Sequence, residues 1–433
     1  MYKDGQTFTL TFFRSHVINN SVCHFFDKRQ KFHFSVISMI PEVSMSILDT
    51  MVNAIPVAPL KVCALPGCEE KAANIEKHLI DLQEKLLSQK TNSDIAYHYN
   101  SDSFLIDCKC PRFGSGEAKG VIQQSVRGAD LYILADVCNH SVKYKMRGFE
   151  NRLSPDDHYQ NLKRIIAAST GKAHRINVIM PFLYESRQHK RTGRESLDSA
   201  LALRELVDMG VSNIITFDTH DPKIVNAVPL HGFDNFYPSY QFCQALFKRV
   251  PDLQVDSAHL MTISPDEGAM SRAKYFANIL GVDMGMFYKR RDYSRVVNGK
   301  NPIVAHEFLG ASLKGKDVII LDDMIASGES MLHVAAQLKE RGARRVFVCT
   351  TFGLFTEGLE EFDKYYKEGL FDLIITTDLT YQSPELLSRP WYESAKLDKY
   401  IANIIYATNH DVSLEPIIDN SAKINELLKK YHG

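Results

Sequence analysis

The sequence predicts an α/β protein with two doubly wound parallel-sheet domains, and three observations carry that expectation. Short apolar runs alternate with helix-patterned segments from Leu60 almost to the C-terminus, the order that lays parallel strands side by side under flanking helices. Several runs, among them Leu131–Leu134 (LYIL) and Val318–Leu321 (VIIL), hold no charged residue, as strands covered on both faces do. At 318–330 (VIILDDMIASGES) such a run ends in two adjacent carboxylates, then a Ser/Gly turn that opens a helix pattern.

Taken in order, 60–65 (LKVCAL) reads as a strand, followed by Pro-Gly and a helix with apolar residues at helical spacing over 68–87. A short strand at 104–107 precedes a Gly-rich turn, and 129–135 reads as a fully buried strand. A helix over 157–168 and a strand over 175–181 follow. The helix over 196–209 ends at Gly210, which suits the position just past a helix. Strand 213–217 then delivers Asp218 and His220. The alternation continues with a helix over 239–247, a strand at 260–263 into Pro-Asp-Glu-Gly, a helix over 271–280, and a strand at 284–287 before a basic loop. The Val318 strand with its helix and strands at 345–350 and 373–376 complete the set. Pro, Gly and Asn concentrate at 229–238 and mark the expected domain boundary. The expected division is residues 1–57 as an unassigned extension, 58–235 as one α/β domain and 236–433 as the second.

Composition narrows the function classes. The chain has 433 residues, 45% of them hydrophobic and 24% charged, which is ordinary for a globular protein of two or three domains. A net charge of −1 gives no electrostatic case for a nucleic-acid partner. No run of about 18 apolar residues suggests a membrane span. The 8 cysteines are scattered, and only Cys108 and Cys110 are close-set without a second pair to complete a zinc site. They are expected to be reduced thiols in a cytoplasmic protein. Residues 1–38 carry Phe and His in no clear period and lack the cleavage site of a secretory signal. They are either a genuine extension or upstream of a start near Met39 or Met45, and no function is assigned to them.

The chemistry-bearing signal is the 318–330 segment. In doubly wound sheets, ligands sit outside the carboxyl ends of strands. Helix N-terminal amides attract phosphate, and small residues let it approach. Asp322 and Asp323 stand too near such a phosphate to help bind it, so they are assigned to neighbouring sugar hydroxyls, and the expected ligand is a sugar phosphate. The Walker pattern is excluded because no Gly-Lys-Ser/Thr ends the loop. The plain alternative, a buried strand with a polar loop and a capped helix, leaves the paired acids without a packing purpose. Basic residues cluster at 187–194 and 289–295, beside such a site better explained by a polyphosphate substrate than by solvated loops.

The 318–330 segment resembles the phosphoribosyl-diphosphate loop shared by type I phosphoribosyltransferases and ribose-phosphate diphosphokinases (PRPP synthetases). Further segments resemble the diphosphokinases: Phe113-Gly-Ser-Gly-Glu117 followed by 124–130 (QSVRGAD), 186–191 (SRQHKR), Phe217-Asp-Thr-His220, 264–268 (SPDEG) and Lys289-Arg-Arg291. The resemblance runs from about Leu60 almost to the C-terminus. It implies domains of the type I phosphoribosyltransferase kind, with the last helix around 397–408 packing back on the first. It also implies transfer of the diphosphoryl group of Mg-ATP to ribose 5-phosphate, giving PRPP and AMP. By resemblance, Asp322, Asp323, Ser327, Gly328 and Ser330 hold ribose 5-phosphate. Arg187 and Gln188 bind ATP, as do Phe113 and Glu117 from a neighbouring subunit of a homo-oligomer. His220 and Asp266 are implied as Mg2+ ligands, and Lys289 and Arg291 as catalytic cations on a closing loop.

Several positions depart from the family's pattern. Ser115 stands in place of Asp, Ala269 of a second glycine, His189 of an acid and Asp221 of Ala, and the Arg187 loop is one residue shorter than in the regulated branch. Glu329 replaces a small residue in the phosphate turn, where a carboxylate repels the ligand unless it points to solvent or to an Arg. Two alternatives therefore stand beside the diphosphokinase reading: a regulatory subunit without turnover, and a phosphoribosyltransferase using PRPP as donor.

Overall fold

A computed structural model describes residues 50–51, 54–89, 100–291 and 303–432, with only the backbone described at 289–291, 303–306 and 432. Two sheets dominate it. The first contains Leu60–Ala64 (β1), Leu105–Ile106 (β2), Asp130–Leu134 (β5), Arg175–Ile179 (β8), Asn213–Phe217 (β9) and Gly232–Phe236 (β10), in the order β10-β9-β8-β5-β1-β2. All its pairings are parallel. Two small hairpins, Cys108–Lys109 (β3) with Val121–Ile122 (β4) and Lys143–Met146 (β6) with Phe149–Arg152 (β7), project from its connections.

The second sheet contains Leu260–Ser264 (β11), Asp283–Arg291 (β12), Ile303–Leu309 (β13), Asp317–Ile325 (β14), Val346–Gly353 (β15), Leu373–Thr377 (β16) and Tyr392–Ala395 (β17), in the order β13-β12-β11-β14-β15-β16-β17. Only β12 and β13 pair antiparallel. Both sheets are thus mostly parallel α/β sheets, as the alternation predicts.

The helices are Glu69–Gln89 (α1), Pro155–Ser169 (α2), Asp198–Asp208 (α3), Ser239–Arg249 (α4), Met270–Leu280 (α5), Glu329–Glu340 (α6), Glu360–Lys367 (α7), Pro384–Leu387 (α8), Asp398–Asn409 (α9), Glu415–Ile418 (α10) and Ser421–His432 (α11). Their starts follow local chemistry. In α2, Ser154 accepts from Asp157 N while Asp157 reaches back to Ser154 N, a reciprocal cap with Pro155 at the first helical position. At the far end of α5, Gly281 adopts the left-handed conformation that closes a helix.

Leu131, Ile133, Ile214 and Ile215 of the first sheet share one buried cluster with Ile319, Leu321, Phe347 and Ile375 of the second. The opposite face of the second sheet packs Val318 and Ile320 against Val334 and Leu338 of α6 and Trp391. Helix α9 returns to the first sheet: Asn409 donates to Ala58 O and to Asp130, and Arg175 donates to Thr408 O.

Three sequence expectations change. The Val318 strand does not stop before the carboxylates but runs to Ile325, because β15 continues alongside and pairs Asp322 with Thr350 and Met324 with Phe352. Within 229–238, the expected boundary, runs an edge strand that the alternation did not indicate, β10 paired to β9. Nor are all the cysteines thiols: Cys63 and Cys108 form a disulfide with Cα atoms 6.2 Å apart. The pairing of Cys63 with Ile106 brings that later part of the chain beside β1, a proximity that a separation of 45 residues conceals. Among the described residues no helix is long and apolar enough to cross a membrane.

Candidate functional site

The carboxyl ends of β8 and β9 in the first sheet and of β11 and β14 in the second converge on an open cleft of about 710 Å³. Asp218, immediately after β9, is 3% exposed and has φ +40°. Its Oδ1 accepts from Arg272 Nε at 2.6 Å and its Oδ2 from Thr351 Oγ1 at 2.6 Å. Arg272, on α5, also donates through Nη2 to Thr219 O at 3.1 Å. This brace ties the end of the first sheet to two elements of the second. Burial pushes the Asp218 carboxyl up despite Arg272 and Thr351.

Two residues further on, His220 Nδ1 lies 2.6 Å from Asp323 Oδ2, a second tie between the sheets. Asp323 is buried, yet the His220 hydrogen bond and Arg272 overcome the cost of burial and hold its carboxyl below the usual range. Asp322 behaves oppositely: burial first, then the charges of Asp323 and Asp266, push it well above. Adjacent carboxylates are thus driven apart, one kept as an anion and the other inclined to hold a proton. At the end of β11, Asp266 Oδ1 accepts from Gly268 N at 2.9 Å and Ala269 N at 3.3 Å, fixing the turn into α5.

After β14 the chain turns through Ala326, Ser327 and Gly328 into α6. Gly328 has φ +93°, and a Cβ there would lie 2.1 Å from Phe362 Cζ, so the turn requires glycine. Ser327, Gly328 and Ser330 line the cleft, beside helix amides that have no intrahelical partner. Glu329 is exposed, and its neighbours rather than Glu329 itself line the cleft.

The cleft brings together Arg187, His220, Asp266, Asp322, Asp323, Ser327, Gly328 and Ser330. Gln188 stands beside it and braces its own loop, donating through Nε2 to Lys190 O and Ser196 O. Phe113 and Glu117 lie elsewhere, in a tight exposed turn where Phe113 N donates to Glu117 O and Ser115 to the Glu117 carboxylate. Arg112 supports that turn by pairing with Asp157 and stacking over Tyr144. Lys289 and Arg291 are the last part of strand β12; their side chains lie outside the described residues.

Sequence reading missed Arg272, Thr351, Lys190 and Lys223 as site residues. Lys190, Lys223 and Arg272 line the cleft, and Arg272 and Thr351 hold Asp218. The available signal was position alone, since Arg272 follows Gly268 by four residues and Thr351 lies within a buried strand. Among the described residues no three His, Cys, Asp or Glu side chains cluster as a metal cage.

Fold and cleft together define an α/β protein with a polar cavity at the carboxyl ends of two parallel sheets, the place where this architecture takes ligands. Residues 60–210 match the model for the N-terminal domain of ribose phosphate pyrophosphokinase, and residues 245–388 match the phosphoribosyl transferase domain. A ribose-phosphate pyrophosphokinase of Vibrio parahaemolyticus is 27% identical over 320 residues, 73% of this chain and 92% of the relative. One from Ralstonia nicotianae is 29% identical over 269 residues, 62% of this chain and 76% of the relative. The crystal structure of phosphoribosylpyrophosphate synthetase from Mycobacterium smegmatis superposes with a TM-score of 0.64 at 21% identity, covering 81% of this chain and 99% of that one, a likeness of fold. The chain belongs to the ribose-phosphate pyrophosphokinase family.

Proposed function

We propose that this chain is a ribose-phosphate diphosphokinase, transferring the diphosphoryl group of Mg-ATP to the 1-hydroxyl of ribose 5-phosphate to give PRPP and AMP. The observation that carries the reading is one cleft holding the Asp322–Asp323 couple, the Ser327–Gly328–Ser330 turn and Arg187 from the opposite sheet. A 5-phosphate on the turn leaves the sugar hydroxyls for the two carboxylates. The wall with Arg187, Lys190 and Lys223 is left for the nucleotide's phosphates, which an Arg fork suits.

The donor set fits a magnesium ion. Asp266 offers a carboxylate, and His220, oriented through Nδ1 by Asp323, keeps its second ring nitrogen for another partner. Magnesium needs few protein ligands because phosphates and water complete its shell. When bound, the ion would offset phosphate charge. The protein's own task is then to position both substrates and stabilise charge during in-line transfer. Lys289 and Arg291 are assigned that second part. The exposed turn holding Phe113 and Glu117 supports their reaching the nucleotide of a neighbouring subunit, and hence a homo-oligomer.

Supplying ATP, Mg2+ and ribose 5-phosphate is expected to give AMP stoichiometric with PRPP. ATP binding without AMP formation would overturn the proposal in favour of a regulatory subunit. PRPP consumption only on addition of a nucleobase would favour a phosphoribosyltransferase.

A further inference from the structure

Two of the departures from the family pattern face each other. His189, in the loop after β8, places Nε2 3.3 Å from Asp221 Oδ2, just beyond β9. Both side chains line the cleft, at 12% and 30% exposure, so the contact is sheltered rather than a solvated surface pair. The other Asp221 oxygen accepts from Lys223 N at 2.9 Å, so the carboxylate is anchored by its own turn before it meets the imidazole. His189 Nδ1 is buried and has no hydrogen-bond partner among the described residues, which leaves Asp221 as the polar hold on the ring. The ring also lies 5.5 Å from that of His220, itself fixed by Asp323.

We infer that His189 and Asp221 are a latch of positioning residues that sets the basic Arg187–Lys190 loop against the polyphosphate side of the cleft. Gln188 ties that loop to Lys190 O and Ser196 O, so a hold at His189 is transmitted to Arg187 and Lys190 on either side. The two departures are then one event: the loop gave up its acid for a base, and the facing turn gained an acid to meet it. The catalytic cations and the sugar site lie on other elements. Loss of the latch therefore weakens nucleotide capture more than the transfer step. This inference rests on the proposed reading of the cleft as a nucleotide site.

The test uses the full chain and two readouts, steady-state kinetics with Mg-ATP and the rate of trypsin cleavage within 187–194. His189→Asp sets two carboxylates face to face. It is expected to raise the KM for Mg-ATP about tenfold with kcat within about twofold, and to speed cleavage. Adding Asp221→Asn lets an amide donate to the introduced carboxylate, and is expected to return KM to within about threefold of the parent and to restore protection. His189→Ala, which only deletes the ring, is expected to shift both readouts the same way by less, and it decides the question if His189→Asp does not fold. The latch is overturned if the double variant is no better than His189→Asp, or if the single variants lower kcat at unchanged KM. A parent that turns over no Mg-ATP would sink the functional reading, while the cleavage rates would still decide the latch.

Discussion

Asp218 is a buried acid whose partners, Arg272 and Thr351, come from helix α5 and strand β15 in the second half of the chain. Removing one partner of a buried pair leaves an uncompensated charge, so Arg272→Met is expected to cost about 3–5 kcal/mol, read from urea unfolding. Arg272→Lys keeps the charge without the fork that serves both Asp218 and Thr219 O, and should recover only part of that loss. Where chemistry is concerned, Lys289→Ala is expected to lower turnover by about two orders of magnitude or more with nucleotide binding nearly intact. An equal loss of ATP affinity would contradict its assignment to the transition state. Most residues of the cleft were legible as types, because Asp, His, Arg and Ser at strand ends have little packing value. Arg272 was not, since an arginine in the first turn of an amphipathic helix reads as surface until its partner's position is known.

Among the elements, the proposed sugar site rests on the β14–turn–α6 unit. The sequence makes its order plain, as apolar strand, two acids, small turn and helix, but it places the strand's end too early. Propensity alone stops a strand at Asp-Asp. A neighbouring strand that keeps pairing carries it on to Ile325. Gly328 is required there by conformation and by Phe362. Gly328→Ala combines the left-handed strain of an L-residue with overpacking, and is expected to destabilise by about 2–4 kcal/mol. Loss of ribose 5-phosphate binding should accompany the lower urea midpoint, whereas retained binding would separate the turn from the sugar. The β6–β7 hairpin and β10 escaped sequence reading because their alternation is short and lies among Gly, Asn and Pro.

For the whole molecule, the contacts that join distant segments control how stability responds to pH. Asp136, after β5, accepts from Tyr381 N at 2.7 Å and Cys138 N at 3.0 Å, linking early and late parts of the chain. Burial pushes its carboxyl up to about 7. A folded-state value above the unfolded one means that its contribution is complete below about pH 4 and is lost as pH rises through about 7. Asp136→Asn is therefore expected to shrink the fall in urea midpoint between about pH 5.5 and pH 8.5. An unchanged pH slope in that variant would remove Asp136 from the account. A second long-range knot, Asp130 with Arg175, Asn177 and Asn409, fastens α9 to the first sheet.

The order of apolar runs, helix periods and small-residue turns was sufficient for the α/β class, for most elements and for the carboxylate–turn unit, because each depends on local periodicity and local backbone demands. Which side chains meet was decided by the tertiary structure alone. Only the meeting of the two sheets sets His220 against Asp323 and Asp218 against Arg272, and only the pairing of β8 with β9 sets His189 against Asp221. Pairs 32 to 103 residues apart share no local pattern, and their contact energies exist only once the strands around the cleft have assembled.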